Sequence, residues 1–242
     1  MHERPYNKVA LIYNHLMRDV DYDSWSKYIL KIADYHVSTG KNVLELAAGN
    51  CRISDFISGE FKYFTATDIS LPMLKASSSD NIRKVCCDMK ALPFNTKFDF
   101  IFSAFDSINY ILSQRELFKF FSYIKKILAD NGIFTFDASL ERNSLNFIIP
   151  IVLTETCNGY SYTKICYYKK RSRTHINEFI IQNTSGLEFK EVHKQKIYKL
   201  ITYFRLADKA GLQIKACYNC FSLDDVNENS ERVQIVLRKI TQ

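Results

Sequence analysis

Five short runs of the chain, residues 42–47, 63–68, 85–88, 98–102 and 133–137, are almost wholly apolar, and helical patterns separate them. A strand with one wet face alternates apolar and polar residues; a strand covered on both faces reads as a continuous apolar run. Such runs alternating with helices constrain the fold class to α/β, a doubly wound and mostly parallel sheet between two helical layers. The intervening helices are expected at 52–57, at 72–77 with Pro72 near the first turn, and at the amphipathic stretch 115–128. The dipeptide Asn131-Gly132 is expected to turn the chain into the fifth strand. A helix at 200–210, closed by Gly211, precedes two more strands at 212–221 and 232–240, which brings the sheet to seven.

Two segments stand outside this alternation. Residues 1–40 read as an N-terminal helical cap, with Asp23 capping a helix whose apolar face is Trp25, Ile29, Ile32 and Ala33. Residues 145–198 read as an antiparallel insertion, with long alternating runs at 160–170, 173–184 and 187–198. The 242 residues are expected to form a single domain, with the insertion serving as a substrate cover or a dimer contact in a monomer or homodimer.

Composition removes several function classes. No run approaches the roughly 20 apolar residues of a membrane-spanning helix, and Pro150 interrupts the longest, 147–153. The start, Met1 to Pro5, carries no apolar signal-peptide core, so a cytoplasmic protein with reduced thiols is expected for the seven cysteines. Cys217-x-x-Cys220 has no second ligand pair and lies in a strand pattern, so no metal is expected. The net charge of +7 is concentrated, since residues 160–199 hold nine basic and three acidic residues. Such a segment is a solvated face or a surface that meets an acidic partner.

The chemistry gathers at strand ends. In an open α/β sheet, ligands bind beyond the carboxyl ends of the strands where the strand order reverses. The first strand runs through Glu45 into Ala47-Ala48-Gly49, residues small enough for the backbone to approach a cofactor. The second ends at Asp68, 19 residues after Gly49, the spacing at which a carboxylate accepts two hydrogen bonds from a ribose diol. Asp88, at the end of the third, can accept from an adenine amino group while Met89 packs the ring. The fourth leads into Ala104-Phe105-Asp106-Ser107. Four strand ends thus converge on one crevice.

In these residues the chain resembles the class I S-adenosylmethionine-dependent methyltransferases. The match runs through Val43-Leu44-Glu45-Leu46-Ala47-Ala48-Gly49-Asn50-Cys51, Asp68-Ile69-Ser70-x-x-Met73-Leu74, Asp88-Met89 with Leu92-Pro93-Phe94, and Phe98-Asp99-Phe100-Ile101. Gly132-Ile133-Phe134 and Ala210-Gly211-Leu212 fit as well. Tyr6-Asn7-x-x-Ala10-x-x-Tyr13 followed by Asp21-Tyr22-x-x-Trp25 is similar to small bacterial glycine N-methyltransferases and deoxyaminosugar N-methyltransferases. The resemblance implies a Rossmann-like fold and S-adenosyl-L-methionine as cofactor. It implies cofactor contacts from Glu45, Ala47, Gly49, Asp68, Ile69, Met73, Asp88, Met89, Ala104 and Phe105. It also implies that Tyr13 and Trp25 reach the methionine carboxylate as hydrogen-bond donors. Cys51 stands where the family has a glycine; a side chain fits there with a negative φ, directed away from the cofactor.

The expected reaction is in-line transfer of the methyl group to nitrogen or oxygen of a small molecule, with binding geometry supplying much of the acceleration. Tyr110, in the loop after the fourth strand, is the candidate to contact or deprotonate the acceptor. An anionic acceptor would meet Lys164, Lys169, Lys170, Arg171 or Arg173, and His175 and His193 on the same strands are expected to face solvent. An RNA methyltransferase using this basic segment is the alternative, disfavoured by the modest charge and by the lack of a visible RNA-binding module. A non-catalytic cofactor-binding relative is a second alternative. A nicotinamide dehydrogenase is disfavoured, because Tyr160-x-x-x-Lys164 falls in a strand and no TGxxxGxG loop occurs.

Overall fold

The computed structural model describes residues 6–37, 41–77 and 79–240; residues 1–5 and 38–40 of the expected cap lie outside the described residues. The large sheet has seven strands in the order β10-β11-β5-β4-β1-β2-β3. These are β1 (Asn42–Leu46), β2 (Tyr63–Asp68), β3 (Arg83–Cys86), β4 (Phe98–Ser103), β5 (Leu128–Ser139), β10 (Leu212–Asn219) and β11 (Arg232–Lys239). Strands β3 to β5 run parallel through β1, and β11 is antiparallel to both of its neighbours. The chain leaves β1 toward β2 and β3, then returns to lay β4 on the other side of β1. The order therefore reverses at β1 and β4, and a crevice opens beyond their carboxyl ends.

Helices cover both faces, which explains the continuous apolar strands. On one side α5 (Gln114–Ile127) and α7 (Leu200–Lys209) bury Leu117, Phe120, Phe121, Ile124, Tyr203 and Leu206 against Phe134 and Phe136 of β5. On the other, α2 (Tyr22–His36) and α3 (Arg52–Ile57) bury Trp25, Ile29, Ile32 and Ile53 against Val43, Phe100 and Phe102. Each such side chain contributes roughly 1.5–3 kcal/mol by leaving water, so the two layers fix the sheet. Helix α2 is capped by Asp21, whose carboxylate accepts from Ser24 N at 2.9 Å. The expected cap, Asp23, lies within the first turn and pairs with Lys27 at 2.6 Å, an i,i+4 surface pair. Among the described residues ahead of α2 stand only a 3₁₀ turn (Val9–Leu11) and the single turn α1 (Tyr13–Leu16).

Three other expectations shift. Strand β3 ends at Cys86, so Asp88 lies in the loop beyond it. The expected turn at Asn131-Gly132 falls inside β5, where the register against β4 jumps from Phe98–Leu128 to Phe100–Ile133. At that jump the backbone of Gly132 crosses β4 so closely that a Cβ would stand 2.9 Å from the carbonyl oxygens of both Phe98 and Asp99. The insertion forms a separate antiparallel sheet of four strands, not three: β6 (Ile151–Cys157), β7 (Tyr160–Lys169), β8 (Thr174–Asn183) and β9 (Glu188–Lys196). Strand β6 is an edge whose side chains are mostly exposed, so it lacks the alternation that marked the others. The N-terminal segment bridges the two sheets, with Val9 and Ile12 packed on Tyr162, Phe179 and Ile181. Strand β9 is held to the loop after β4 by Asn109 Nδ2, which donates to the Lys196 carbonyl at 2.9 Å.

Candidate active site

Beyond β1 the chain turns into α3 through Ala47 (φ 54°), Gly49 (φ 57°) and Cys51 (φ 60°), all in the left-handed region. Two non-glycine residues there cost about 1–3 kcal/mol each, and tertiary bonds hold them. Ala48 N donates to the Thr67 carbonyl and Gly49 N to Asp68 Oδ2, both at 2.8 Å. The second carboxylate oxygen of Asp68 accepts from Ser70 N at 2.8 Å. Asp68 is thus the brace that ties the end of β2 to the loop after β1. Each of its oxygens keeps a further lone pair for a ligand. Cys51 departs from the expected negative φ, but its side chain is fully buried among Ile53, Phe64 and Ala66 and directed off the site. Burial in that apolar cluster offsets part of the backbone strain and pushes the thiol pKa up to about 12.

The loop borders a cavity of about 210 Å³. Of the candidate residues, Tyr13, Glu45, Ala47, Gly49, Asp68, Ile69, Met73, Asp88, Met89, Phe105 and Tyr110 line it. Trp25 and Ala104 are buried in the core and are not among its lining residues. The Trp25 ring lies 4.6 Å from those of both Phe105 and Phe221, so Phe105 stands on the cavity wall and Trp25 backs it. Glu45 forms part of the floor, where burial raises its pKa to about 8 despite a hydrogen bond from the Ser54 hydroxyl. The positive side chains on the cavity wall are Arg52 and Lys90. The insertion cations Lys164, Lys169, Lys170, Arg171 and Arg173 are not among the lining residues, and Arg173 is paired with Glu141.

The loop after β4 is also strained, with Phe105 (φ 57°) and Asp106 (φ 48°) consecutively left-handed. A buried ionic cluster fixes it. Asp106 N donates to Asp137 Oδ2 at 2.8 Å, and Asp106 Oδ1 pairs with Arg232 at 3.1 Å. Asp106 Oδ2 accepts from Gln195 Nε2 at 2.8 Å, while Arg232 also pairs with Asp137. Burial raises the Asp137 pKa to about 6, with Arg232 working against it. The cluster aims Phe105, Ser107 and Tyr110 at the cavity.

At Tyr110 the two sheets and the N-terminal segment meet. Its hydroxyl lies 2.7 Å from that of Tyr6 and 3.2 Å from His193 Nδ1. The other imidazole nitrogen of His193 lies 3.0 Å from Glu191 Oε2. Burial raises the phenol pKa of both Tyr6 and Tyr110. His193 is 2% exposed and His175 7%, which corrects the expectation that both face solvent. His175 lies between the Ser144 hydroxyl at 3.2 Å and the Cys166 thiol at 3.0 Å, away from the cavity lining. Sequence reasoning missed Glu191, Arg232 and Asp137 at this end, because apart from the neighbouring His193 their partners are distant along the chain. Tyr6 stood in a recognised motif, though without a role.

A family model for a methyltransferase domain matches residues 43–132, which span β1 to the start of β5. A protein of Geobacillus sp. (strain WCH70) that carries a methyltransferase designation is 25% identical, over 97% of this chain and 99% of its own. Among solved structures, an S-adenosylmethionine-dependent methyltransferase from Clostridium acetobutylicum superposes with a TM-score of 0.82 at 25% identity, covering 98% of this chain and all of its own. A sugar N-methyltransferase from a Streptoalloteichus species shares the fold, with a TM-score of 0.76 at 14% identity, over 99% of this chain and 94% of its own.

Proposed function

Because the chain is a class I S-adenosylmethionine-dependent methyltransferase, we propose that it methylates a nitrogen or oxygen of a small molecule seated between the cofactor loop and Tyr110. The observation that carries this reading is the two-ended cavity. One end is backbone and carboxylate, from Ala47 to Asn50 with Asp68 and Asp88, and has the Tyr13 hydroxyl beside Gly49; the other is aromatic and hydroxylic, from Tyr6, Phe105 and Tyr110.

The first end fits the cofactor. A Cβ on Gly49 would lie 3.3 Å from Met73 Cε and 3.7 Å from the Tyr13 hydroxyl, so glycine leaves a gap there. Asp68 has lone pairs for a diol, Asp88 can accept from an amine, and the half-exposed Ile69 and Met89 offer apolar faces to a ring. When bound, the cofactor supplies an activated methyl group on a sulfonium, which needs no covalent help from the protein. What the chain adds is position. Phe105, backed by Trp25 and fixed by the Asp106–Arg232–Asp137 cluster, holds the wall, and Tyr110 presents a hydroxyl to the acceptor's nucleophilic atom. With the cofactor bound, an acceptor lone pair held in line with the sulfonium methyl would form the new bond to carbon as the carbon–sulfur pair returned to sulfur.

Incubation of the protein with methyl-labelled S-adenosylmethionine and the small-molecule or RNA fraction of a native extract tests this reading. Label is expected in the small-molecule fraction. Label confined to RNA, with retention on heparin to elevated salt, would overturn the acceptor assignment.

A further inference from the structure

Behind the phenols that face the cavity lies a chain of buried groups with a fixed hydrogen-bond direction. Both Glu191 oxygens are fully engaged: Oε1 accepts from the backbone N–H of Lys8 and of Val9, at 3.0 Å for the latter. Oε2 accepts from Tyr6 N at 2.8 Å and faces His193 Nε2 at 3.0 Å. Four partners around two oxygens leave no lone pair for a carboxyl proton, so Glu191 is an acceptor on every side. The proton between it and His193 must then reside on Nε2. In the neutral imidazole His193 Nδ1 then carries a lone pair, which accepts from the Tyr110 hydroxyl 3.2 Å away. Tyr110 donates inward, so the 2.7 Å contact with Tyr6 is donated by Tyr6. The direction is set throughout: Tyr6 O–H to Tyr110 O–H to His193 Nδ1, and His193 Nε2–H to Glu191.

We propose that Tyr110 and His193, oriented by Glu191, are a proton relay that drains the acceptor, and hence that the acceptor arrives with a proton on its nucleophilic atom. This rests on the methyl-transfer reading above. As the new bond to carbon forms, the acceptor's N–H or O–H proton passes to the Tyr110 oxygen while the phenol's own proton moves to His193 Nδ1. The imidazole becomes imidazolium, and Glu191 balances its charge within the buried site; both side chains are essentially inaccessible to water. No oxidant or further reactant is needed, and the proton later leaves by the same path once product departs. Burial keeps the Tyr110 phenol protonated, so it takes up the acceptor's proton only by passing its own to the imidazole. The groups facing His193 are Glu191 on its own strand, Tyr110 after β4, Tyr6 from the N-terminal segment at a ring distance of 4.5 Å, and the uncharged Phe179 of β8 at 5.1 Å. Asp68 and Asp106 act on both phenols through space.

The same contacts make the relay depend on closure of the N-terminal segment. Tyr6, Lys8 and Val9 supply three of the four partners of Glu191, and the Tyr6 carbonyl accepts from the Ser70 hydroxyl at 2.6 Å, beside the cofactor loop. His193 and Glu191 act through Tyr110, and so are positioning residues.

Two measurements on the full chain test the proposal. Long-range imidazole ¹H–¹⁵N spectra of the ¹⁵N-labelled protein should show His193 as the Nε2–H tautomer at pH 7, and Tyr110→Phe should move the Nδ1 resonance while the circular dichroism spectrum stays that of the folded protein. An Nδ1–H tautomer, or an Nδ1 signal indifferent to Tyr110→Phe, would refute the relay whether or not methyl transfer is confirmed. The second compares the pH–rate profile of label transfer from S-adenosylmethionine to the small-molecule extract fraction. His193→Gln should lower the rate on the order of 10²-fold and abolish the rise of rate with pH that the relay predicts for the wild type, and His193→Asn should do the same. A variant with wild-type rate and profile would overturn the proposal. A wild type that transfers no label counts against the methyl-transfer reading, and the tautomer then decides the relay by itself.

Discussion

Glu45 gives the sharpest quantitative test of how the cavity floor is built. It is 3% exposed, at the end of a central strand, with the Ser54 hydroxyl as its donor. Burial raises its pKa from 4.5 in the unfolded chain to about 8 in the fold. Between those values the native state holds a proton that the unfolded state has released. The native pKa is the raised one, so the extra stability is full below pH 4.5 and is lost as pH climbs through about 8. The loss runs at up to about 1.4 kcal/mol per pH unit, hence about 3 kcal/mol between pH 5.5 and 7.5. Glu45→Gln keeps the shape and the partner for Ser54 but cannot ionise. Urea unfolding of both proteins across that range, at equal m-values, should show the variant gaining on the wild type by that amount. Asp137, Asp68 and Asp55 also carry raised pKa values and tilt both profiles, so the difference between the curves isolates Glu45. Parallel curves would refute the reasoning and place an ordinary ionised glutamate on the floor.

Other substitutions probe the strained loops and the cluster beneath them. Cys51→Gly relieves a left-handed residue, worth about 1–2 kcal/mol. It also removes a buried thiol, so a net change within about 1 kcal/mol is expected by denaturant melt, and a loss above about 3 kcal/mol would mean that packing dominates. Gly132→Ala drives a Cβ to 2.9 Å from two backbone carbonyls and should cost about 2 kcal/mol; a wild-type midpoint would show that β5 yields freely at its irregularity. Arg232→Met strands the buried Asp137 carboxylate and should cost about 3 kcal/mol at pH 7.5. That cost should shrink at pH 5, where Asp137 can take up a proton. A pH-independent loss would assign the effect to packing alone.

The parts of the fold legible in the sequence are those that local pattern encodes. Strands covered on both faces, such as Phe98–Ser103, announce themselves by nearly continuous apolar runs, and acids at strand ends mark the crevice because a carboxylate there has no partner inside the sheet. Edge elements were harder. Ile151–Cys157 exposes most of its side chains, so neither alternation nor a solid apolar run identifies it. The left-handed backbone at Cys51 was invisible because a cysteine, unlike a glycine, gives no sign of a positive φ, and burial of the thiol is what tolerates the exception. The Tyr110 end of the site was least legible. Tyr6, Tyr110 and Glu191 are brought together by the docking of one sheet and the N-terminal segment on another, over separations of 104 and 185 residues, and no periodicity carries that information. His193 read as one more strand histidine until its neighbours were seen.

The central claim is that the crevice at the ends of β1 and β2 holds the methyl donor. Calorimetric titration of the wild type and of Gly49→Val with S-adenosylhomocysteine tests it most directly. Valine would occupy a left-handed position and crowd Met73 and Tyr13, inside the space assigned to the cofactor. The wild type should bind one equivalent, and the variant should bind at least tenfold more weakly while remaining folded by circular dichroism. Superimposable isotherms for the two proteins, or a wild type that takes up NADH and not S-adenosylhomocysteine, would contradict the account.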